Sequence, residues 1–269
     1  MLEKIPAGAF EMKRIDINCD MGESFGAYTI GMDSETIKFI SSANIACGYH
    51  AGDPHVMNKT VRLAKENLVA VGAHPGYPDL LGFGRRNMNC TPDEVRDFVI
   101  YQISALMGFC RLHDVKMQHV KPHGSLYNMS VGNEALSRAV AEAIAVVDPT
   151  LIWVVLAGTQ SLMAKKIADE NRIRIAFEAF PDRTYDPDGR LTSRSRPGAV
   201  IEDPKRSSEQ ALRMALDGEI IAADGSHLQM DIHTLCLHGD NPAAVEHAKT
   251  IRRTLEAEGI SITSLGGLI

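Results

Sequence analysis

Several familiar signatures are missing from this chain of 269 residues. It has no C-x-x-C pair. Its five cysteines (Cys19, Cys47, Cys90, Cys110, Cys236) are scattered and odd in number, which argues against a disulfide framework. Cys19, Cys47 and Cys236 lie in apolar, strand-like runs and read as small buried thiols. Neither H-E-x-x-H nor a Cys/His zinc spacing occurs. No G-x-x-x-x-G-K-S/T run, G-x-G-x-x-G turn or kinase-like set is present, so spacing alone gives no nucleotide site. The lack of a G-x-S-x-G elbow argues against a serine hydrolase. Long apolar runs are lacking too: "LIWVVLAG" (151–158) falls far short of the roughly 20 residues of a membrane helix. The first residues, "MLEKIPAGAFEMKR", have neither an uninterrupted apolar core nor a cleavage site, so a cytoplasmic protein is expected. Finally, the net charge of −6 contains no block of like charges. That removes the electrostatic footprint for nucleic acid or an anionic membrane and leaves small neutral or anionic metabolites open.

What is present is an alternation. Short apolar, β-branched runs occur at "RIDINCD" (14–20), "ANIACG" (43–48), "LVAVGAH" (68–74), "KMQHVKPH" (116–123), "LIWVVLAG" (151–158), "IRIAFEAF" (173–180) and "HTLCLHGD" (233–240). Such runs suit parallel strands buried on both faces. Between them, residues 53–68, 91–114, 133–148, 159–171, 207–218 and 242–259 carry helical spacing, and 33–43 is a shorter case. Thr91-Pro92 with Glu94 predicts a capping box, Asp53-Pro54 and Asn241-Pro242 predict N-cap plus N1 pairs, and Gly218 and Gly259 stand where helices should stop. The pattern predicts an α/β protein built as one domain over 1–269, with hydrophobic residues at 45 % supporting a large core. A closed barrel and an open doubly wound sheet both fit the alternation. The barrel is favoured because nearly every strand ends in reactive side chains, and only a barrel brings so many strand ends to one face.

In "DINCD", Asp16, Asn18 and Asp20 are spaced two apart and share one face of a strand, opposite Ile15 and Ile17. Paired carboxylates in a barrel mouth can hold a metal or exchange protons. His50, His74, His123 and His238 each close a strand-like run and each precedes Pro, Gly or Ala-Gly. Four imidazoles in equivalent positions suit a divalent transition metal or acid–base work near neutral pH. Lys121 stands beside His123, with Ser125, Tyr127 and Asn128 as hydrogen-bonding neighbours; an inward lysine there neutralises an anion, or serves as a base if its pKa is lowered. Glu178 ends a further strand, and Asp240 follows His238 at the end of the last one. Two irregular stretches, 75–87 and 181–206, supply Arg85, Arg86, Arg183, Arg190 and Arg194 as candidates for anion binding. In "NIACGYHAGDPH" (44–55), Asp53 reads as the cap of the following helix and His55 as a rim residue, so His50 is the group aimed at the mouth.

Together, "DINCDMGESFG", "SSANIACGYHAGDP", "VGAHPGYPDLLGFGRR", "VKPHGSLYN", "EAFPDRTYDPDGRLTSR" and "LCLHGDNP" resemble the LamB/YcsF family of 5-oxoprolinase A subunits, in order from about residue 14 onward. Residues 1–13 lie outside the resemblance as an N-terminal extension. The resemblance implies a seven-stranded parallel β/α barrel similar to that of sugar deacetylases. It implies ATP-dependent opening of 5-oxo-L-proline to L-glutamate with partner subunits B and C, the amide oxygen being phosphorylated before water opens the ring. Mapped onto this chain, the expected catalytic set is Asp16, Asp20, His50, His74, Lys121, His123, Glu178 and His238. The expected substrate- or phosphate-binding set is Asn18, Asn44, Gly48, Arg85, Arg86, Asp182, Arg183 and Asp240. ATP is the expected cofactor. Asp16, Asp20 and His74 are the expected ligands of a divalent metal, either Mg²⁺ or a transition metal. A homo-oligomer stays open. Two other readings compete: a metal-dependent amide or sugar deacetylase that needs no nucleotide, and a non-catalytic subunit that only delivers substrate.

Overall fold

The computed structural model describes residues 12–237 and 242–269. In chain order the elements are β1 (Arg14–Met21), α1 (Asp33–Thr36), β2 (Ser42–Ala46), α2 (Pro54–Glu66), β3 (Ala70–His74), α3 (Pro92–Leu112), β4 (Met117–Val120), α4 (Gly124–Ser130) and α5 (Glu134–Val147). They continue with β5 (Ile152–Leu156), α6 (Ser161–Asn171), β6 (Arg174–Ala179), α7 (Pro204–Asp217), β7 (Glu219–Ile221), β8 (His227–Gln229), β9 (Thr234–Leu237), α8 (Pro242–Ala257) and β10 (Ser261–Ile262). Strands β1 to β6 pair in sequence order, all parallel, and β9 pairs with both β6 and β1. The sheet therefore closes into a seven-stranded parallel barrel, and the open-sheet alternative is ruled out.

The local signals act at the expected positions. Asp53 caps α2 by accepting the amides of His55 and Val56 at 2.8 and 2.9 Å. Its second oxygen accepts the amide of Gly26 at 2.8 Å, so the cap also anchors the loop after β1. Thr91 and Glu94 form the reciprocal capping box of α3. Gly218 ends α7 with φ +64°. Four elements were not legible. Helix α4 spans seven residues, too few for a periodic pattern, and the β7–β8 hairpin and β10 are strands of three and two residues. β10 adds to the start of β1 below the closed ring, pairing Arg14 with Ser261.

Strand alternation divides the core in two. On β1, Ile15, Ile17, Cys19 and Met21 join the main apolar cluster with the buried faces of α2, α3 and α5. Asp16, Asn18 and Asp20 take the other face and point into the barrel. The bore is thus polar over part of its length, and Leu265 packs on Ile152, Val154 and Ala176 at its N-terminal end. Gly72 makes room for this arrangement. It stands in register with Asn44 and His119, and a Cβ there would lie 2.1 Å from His119 Nε2.

Two glycine substitutions test this packing. Gly72→Ala forces the His119 ring aside and should destabilise the fold by about 1–3 kcal/mol. Gly108→Ala, exposed in α3 with open space around the new methyl, should stabilise it by roughly 0.5–1 kcal/mol. Urea unfolding midpoints of the two variants, moving in opposite directions, are the check.

Candidate active site

At the C-terminal end of the barrel, Lys121 follows β4 directly and is 3 % exposed. Its Nζ lies 2.7 Å from Glu178 Oε1 on β6 and 3.1 Å from Asp20 Oδ1 on β1. It also donates to Asn18 Oδ1 at 3.2 Å, and Cys236 Sγ lies 3.1 Å away. Burial alone would lower the ammonium pKa, but the charges of Asp20, Cys236 and Glu178 hold it well above the ordinary lysine value. The surrounding carboxylates thus favour the protonated form of Lys121. For Asp20, burial pushes upward, yet His74 and Lys121 hold the carboxyl well below the usual carboxylate range. Glu178 is fully buried, and its other oxygen accepts from the Tyr127 hydroxyl at 2.9 Å. Its role is to position Lys121.

Beneath this triad a ladder of polar groups crosses the bore. Asn44 donates to Asn18 Oδ1 at 2.7 Å and to Asp20 Oδ1 at 2.9 Å, and its own oxygen meets His119 Nε2 at 2.7 Å. Because burial lowers the His119 pKa to about 3, the ring is neutral and its Nε2–H is the donor. Asn18 donates to Thr234 at 2.7 Å, and Thr234 donates to Asp16. Asp16 also accepts the hydroxyls of Ser41 and Ser42, each at 2.7 Å.

Beside the triad stands a histidine cluster. His74 Nδ1 is 2.6 Å from the Lys121 carbonyl, and His123 Nε2 is 2.8 Å from the Phe83 carbonyl. Carbonyls only accept, so each of those nitrogens carries the proton. His50 stacks flat on His123, ring centres 3.7 Å apart, and its Nε2 is 4.0 Å from Glu23 Oε1. Burial, reinforced by the neighbouring histidines, holds His50 well below its ordinary pKa and His123 at about 3. Glu23, His50, His74 and His123 each present a donor atom, all within 4.8 Å of one another, so this group could hold a metal ion. Gly84, at φ +64°, carries the loop after β3 against these rings: a Cβ there would lie 2.7 Å from His50 Cβ.

A cavity of about 190 Å³ opens over the triad, lined among others by Asp20, His74, Arg85, Lys121, Tyr127, Phe180, Arg183 and Arg194. The two irregular stretches form its walls. Arg85 stacks over the Phe83 ring, 5.0 Å from its centre. Arg183 is buried, with Nε donating to the Ala199 carbonyl and Nη2 to the Thr192 carbonyl, so two of its donors are committed to holding the loop. Gln210 on α7 donates to the carbonyls of Pro181 and Arg183 at 2.9 and 2.8 Å and anchors the same loop from behind.

The structure redistributes the expected residues. Asp20, His74, Lys121, Arg85 and Arg183 line the cavity; His50 and His123 flank it. Asp16 does not reach the mouth: three hydroxyls occupy its oxygens one layer down, so the trio Asp16, Asp20 and His74 does not converge as a metal site. Arg86 is held by Asp79, and Arg190 pairs with Asp188 at 3.5 Å. Asn18 and Asn44 belong to the buried ladder. Gly48 sits at φ +89° in open space, and the Asp182 carbonyl accepts the Ile201 amide at 2.7 Å. His238 and Asp240 lie outside the described residues. Sequence reasoning passed over Glu23 and His119. Glu23 stands in "DMGESFG" between Gly22 and Gly26, and His119 lies two residues before Lys121 on the same strand-like run, the alternation that marks an inward side chain.

Fold and site define a closed β/α-barrel protein whose mouth combines a buried cation, two carboxylates and a histidine cluster. The LamB/YcsF family profile matches residues 15–269, and the chain belongs to that family. The chain is 54 % identical over 256 residues to the 5-oxoprolinase A subunit of Pyrococcus furiosus, covering 95 % of this chain and 99 % of the relative. It is 48 % identical to the 5-oxoprolinase A subunit of Halalkalibacterium halodurans, covering 96 % and 99 %. The crystal structure of the lactam utilization protein from Thermus thermophilus superposes with a TM-score of 0.88 at 44 % identity, covering 93 % of this chain and 99 % of that one. Among the described residues no helix is long and apolar enough to cross a membrane.

Asp16 gives the site a measurable pH signature. Burial raises its carboxyl from 3.8 to about 6, against the pull of the Thr234, Ser42 and Ser41 hydroxyls. A raised carboxyl favours the folded state most below pH 3.8 and loses that contribution as pH rises through about 6, at a cost on the order of 3 kcal/mol. Asp16→Asn removes this dependence. Its unfolding free energy should therefore gain on the natural chain between pH 4 and pH 7, measured by urea titration at each pH.

Proposed function

We propose that this chain is the A subunit of an ATP-dependent 5-oxoprolinase, acting with partner subunits B and C to convert 5-oxo-L-proline to L-glutamate. What carries the reading is a buried Lys121, paired with Glu178 and Asp20 at the floor of a small cavity walled by arginines, in a chain about half identical to relatives named as 5-oxoprolinase A subunits. The lactam carbonyl of 5-oxoproline is a poor electrophile, and its separate carboxylate makes the substrate a small anion. Arg85 and Arg194 at the rim suit its carboxylate, and Lys121 suits the oxygen on which negative charge collects.

ATP enters because the lactam oxygen must become a leaving group. The γ-phosphoryl group passes to that oxygen and ADP departs. Water adds at the same carbon, the C–N bond breaks as nitrogen takes a proton, and the resulting acyl phosphate gives glutamate and phosphate with a second water. In this sequence Asp20 is the mouth carboxylate that orients the attacking water, with His74 beside it at 3.3 Å. Glu178 and Tyr127 hold Lys121 in place. The histidine cluster favours one competing reading, a metal-dependent amide hydrolase that needs no nucleotide.

Mixing the full chain with subunits B and C and following glutamate and phosphate release from 5-oxoproline separates these readings. The expected result is ATP-dependent, equimolar release of both products. Glutamate formed without ATP and abolished by chelation would favour the metal hydrolase, and no ATP-linked glutamate from an assembled complex would sink the proposal. Within the active complex, Arg85→Ala should raise KM for 5-oxoproline by about 10- to 100-fold, the loss of one charge-assisted contact. Lys121→Met should lower kcat by on the order of 10²-fold or more, read from steady-state kinetics.

A further inference from the structure

The two carbonyl contacts of the histidine cluster have a consequence for the nitrogens on the other side of each ring. With the proton of His74 on Nδ1 and that of His123 on Nε2, the remaining atoms are His74 Nε2 and His123 Nδ1. These face each other at 3.0 Å. Two bare lone pairs at that distance repel, so the contact requires either a second proton on His74 Nε2, shared with Asp20 Oδ2 at 3.3 Å, or a cation between the rings. Among the described residues, the fully buried His50 has no hydrogen-bond partner on either ring nitrogen, and its Nε2 points toward Glu23. Three buried imidazoles thus turn ring nitrogens toward one point, with a carboxylate completing the set.

We propose that His50 Nε2, His74 Nε2, His123 Nδ1 and a Glu23 carboxylate oxygen bind one divalent transition-metal ion of the Zn²⁺ class. Three neutral nitrogens and one carboxylate suit such an ion, whereas Mg²⁺ takes oxygen ligands and keeps several waters. Donors within 4.8 Å of one another need only modest side-chain rotation to reach metal–nitrogen bonds of about 2.0–2.1 Å. The outer contacts follow the rule for histidine ligands, in which the second ring nitrogen donates to a carbonyl that fixes tautomer and orientation. Asp20 Oδ2, 3.3 Å from His74 Nε2, is a further oxygen beside the ion. His74 belongs both to this cluster and to the cavity wall, so the ion would supply a Lewis acid at the edge of the cavity assigned above to the lactam.

This deepens the oxoprolinase reading, but its test does not depend on turnover. The purified full-length chain is stripped with a chelator, dialysed, and titrated with Zn²⁺ and Co²⁺, with bound metal measured by elemental analysis, Co²⁺ coordination by visible absorption, and the melting temperature followed throughout. One ion per chain is expected, with imidazole-type Co²⁺ bands and a melting temperature that rises with metal concentration. His50→Gln and His123→Gln should each weaken binding by about 100-fold or more, and Glu23→Gln by roughly 10-fold. Binding of Mg²⁺ in preference to Zn²⁺, or no stoichiometric binding by a chain with native circular dichroism, would overturn the assignment. So would Zn²⁺ affinity unchanged in a folded His50→Gln, His74→Gln double variant. Stoichiometric metal in a chain that gives no ATP-linked glutamate would leave the metal site standing and remove the oxoprolinase reading.

Discussion

A single lysine inside a barrel is the constraint around which the rest of this structure is arranged. Lys121 is almost wholly buried, and a buried ammonium persists only when charge and hydrogen bonds replace its hydration. Glu178 and Asp20 supply the charge from strands on either side, and Asn18 supplies a neutral acceptor. Each of those partners must then be satisfied in turn. Tyr127 serves Glu178, His74 serves Asp20, and Asn44 bridges Asp20 to Asn18 and His119. The requirement propagates down the bore to Thr234 and Asp16. A polar column of this kind is high-stakes: removing one member leaves its neighbours buried without partners. It also holds a positive charge at a set position before substrate arrives, which is the form of electrostatic stabilisation that needs no reorganisation during reaction.

The histidine cluster depends on backbone more than on charge. His74 and His123 owe their orientation to the carbonyls of Lys121 and Phe83, and the loop carrying Phe83 comes close only because Gly84 has no side chain to strike His50. In the same loop the Gly84 carbonyl accepts the Ser125 amide at 2.8 Å, tying it to the first turn of α4. On the far side of the cavity the loop after β6 is fixed by Arg183, Gln210 and the Tyr185 hydroxyl, which accepts the Phe180 amide at 2.8 Å. Long loops around a barrel mouth are here rigidified largely by polar side chains directed into the loops themselves.

Much of the fold was legible. All seven barrel strands and the longer helices were readable, because the period of the apolar residues and the caps at Asp53, Thr91 and Gly218 are local properties. Closure of the barrel was inferred from reactive groups at the strand ends, and pairing of β9 with β1 bears it out. What escaped were pieces too short for any period: α4, the β7–β8 hairpin and β10. The site was legible as a set of residues and not as an arrangement. Asp16 and Asp20 share a face, yet four residues along a strand are enough to put one carboxylate under three hydroxyls and the other at the mouth. Arg86 and Arg85 are neighbours, and only one lines the cavity, since Asp79 holds the other.

The sequence by itself therefore determined the alternation of strands and helices, the inward face of β1, and the supply of His, Lys, Asp and Arg at the strand ends, since these follow from periodicity and from residue chemistry. Tertiary structure alone decided that carboxylates favour the protonated form of Lys121, that Glu178 positions it, and that Glu23 joins His50, His74 and His123. Those facts turn on distances of a few ångströms between residues far apart in the chain. Coulombic attraction, desolvation and hydrogen-bond direction act through those distances, and no local pattern encodes them.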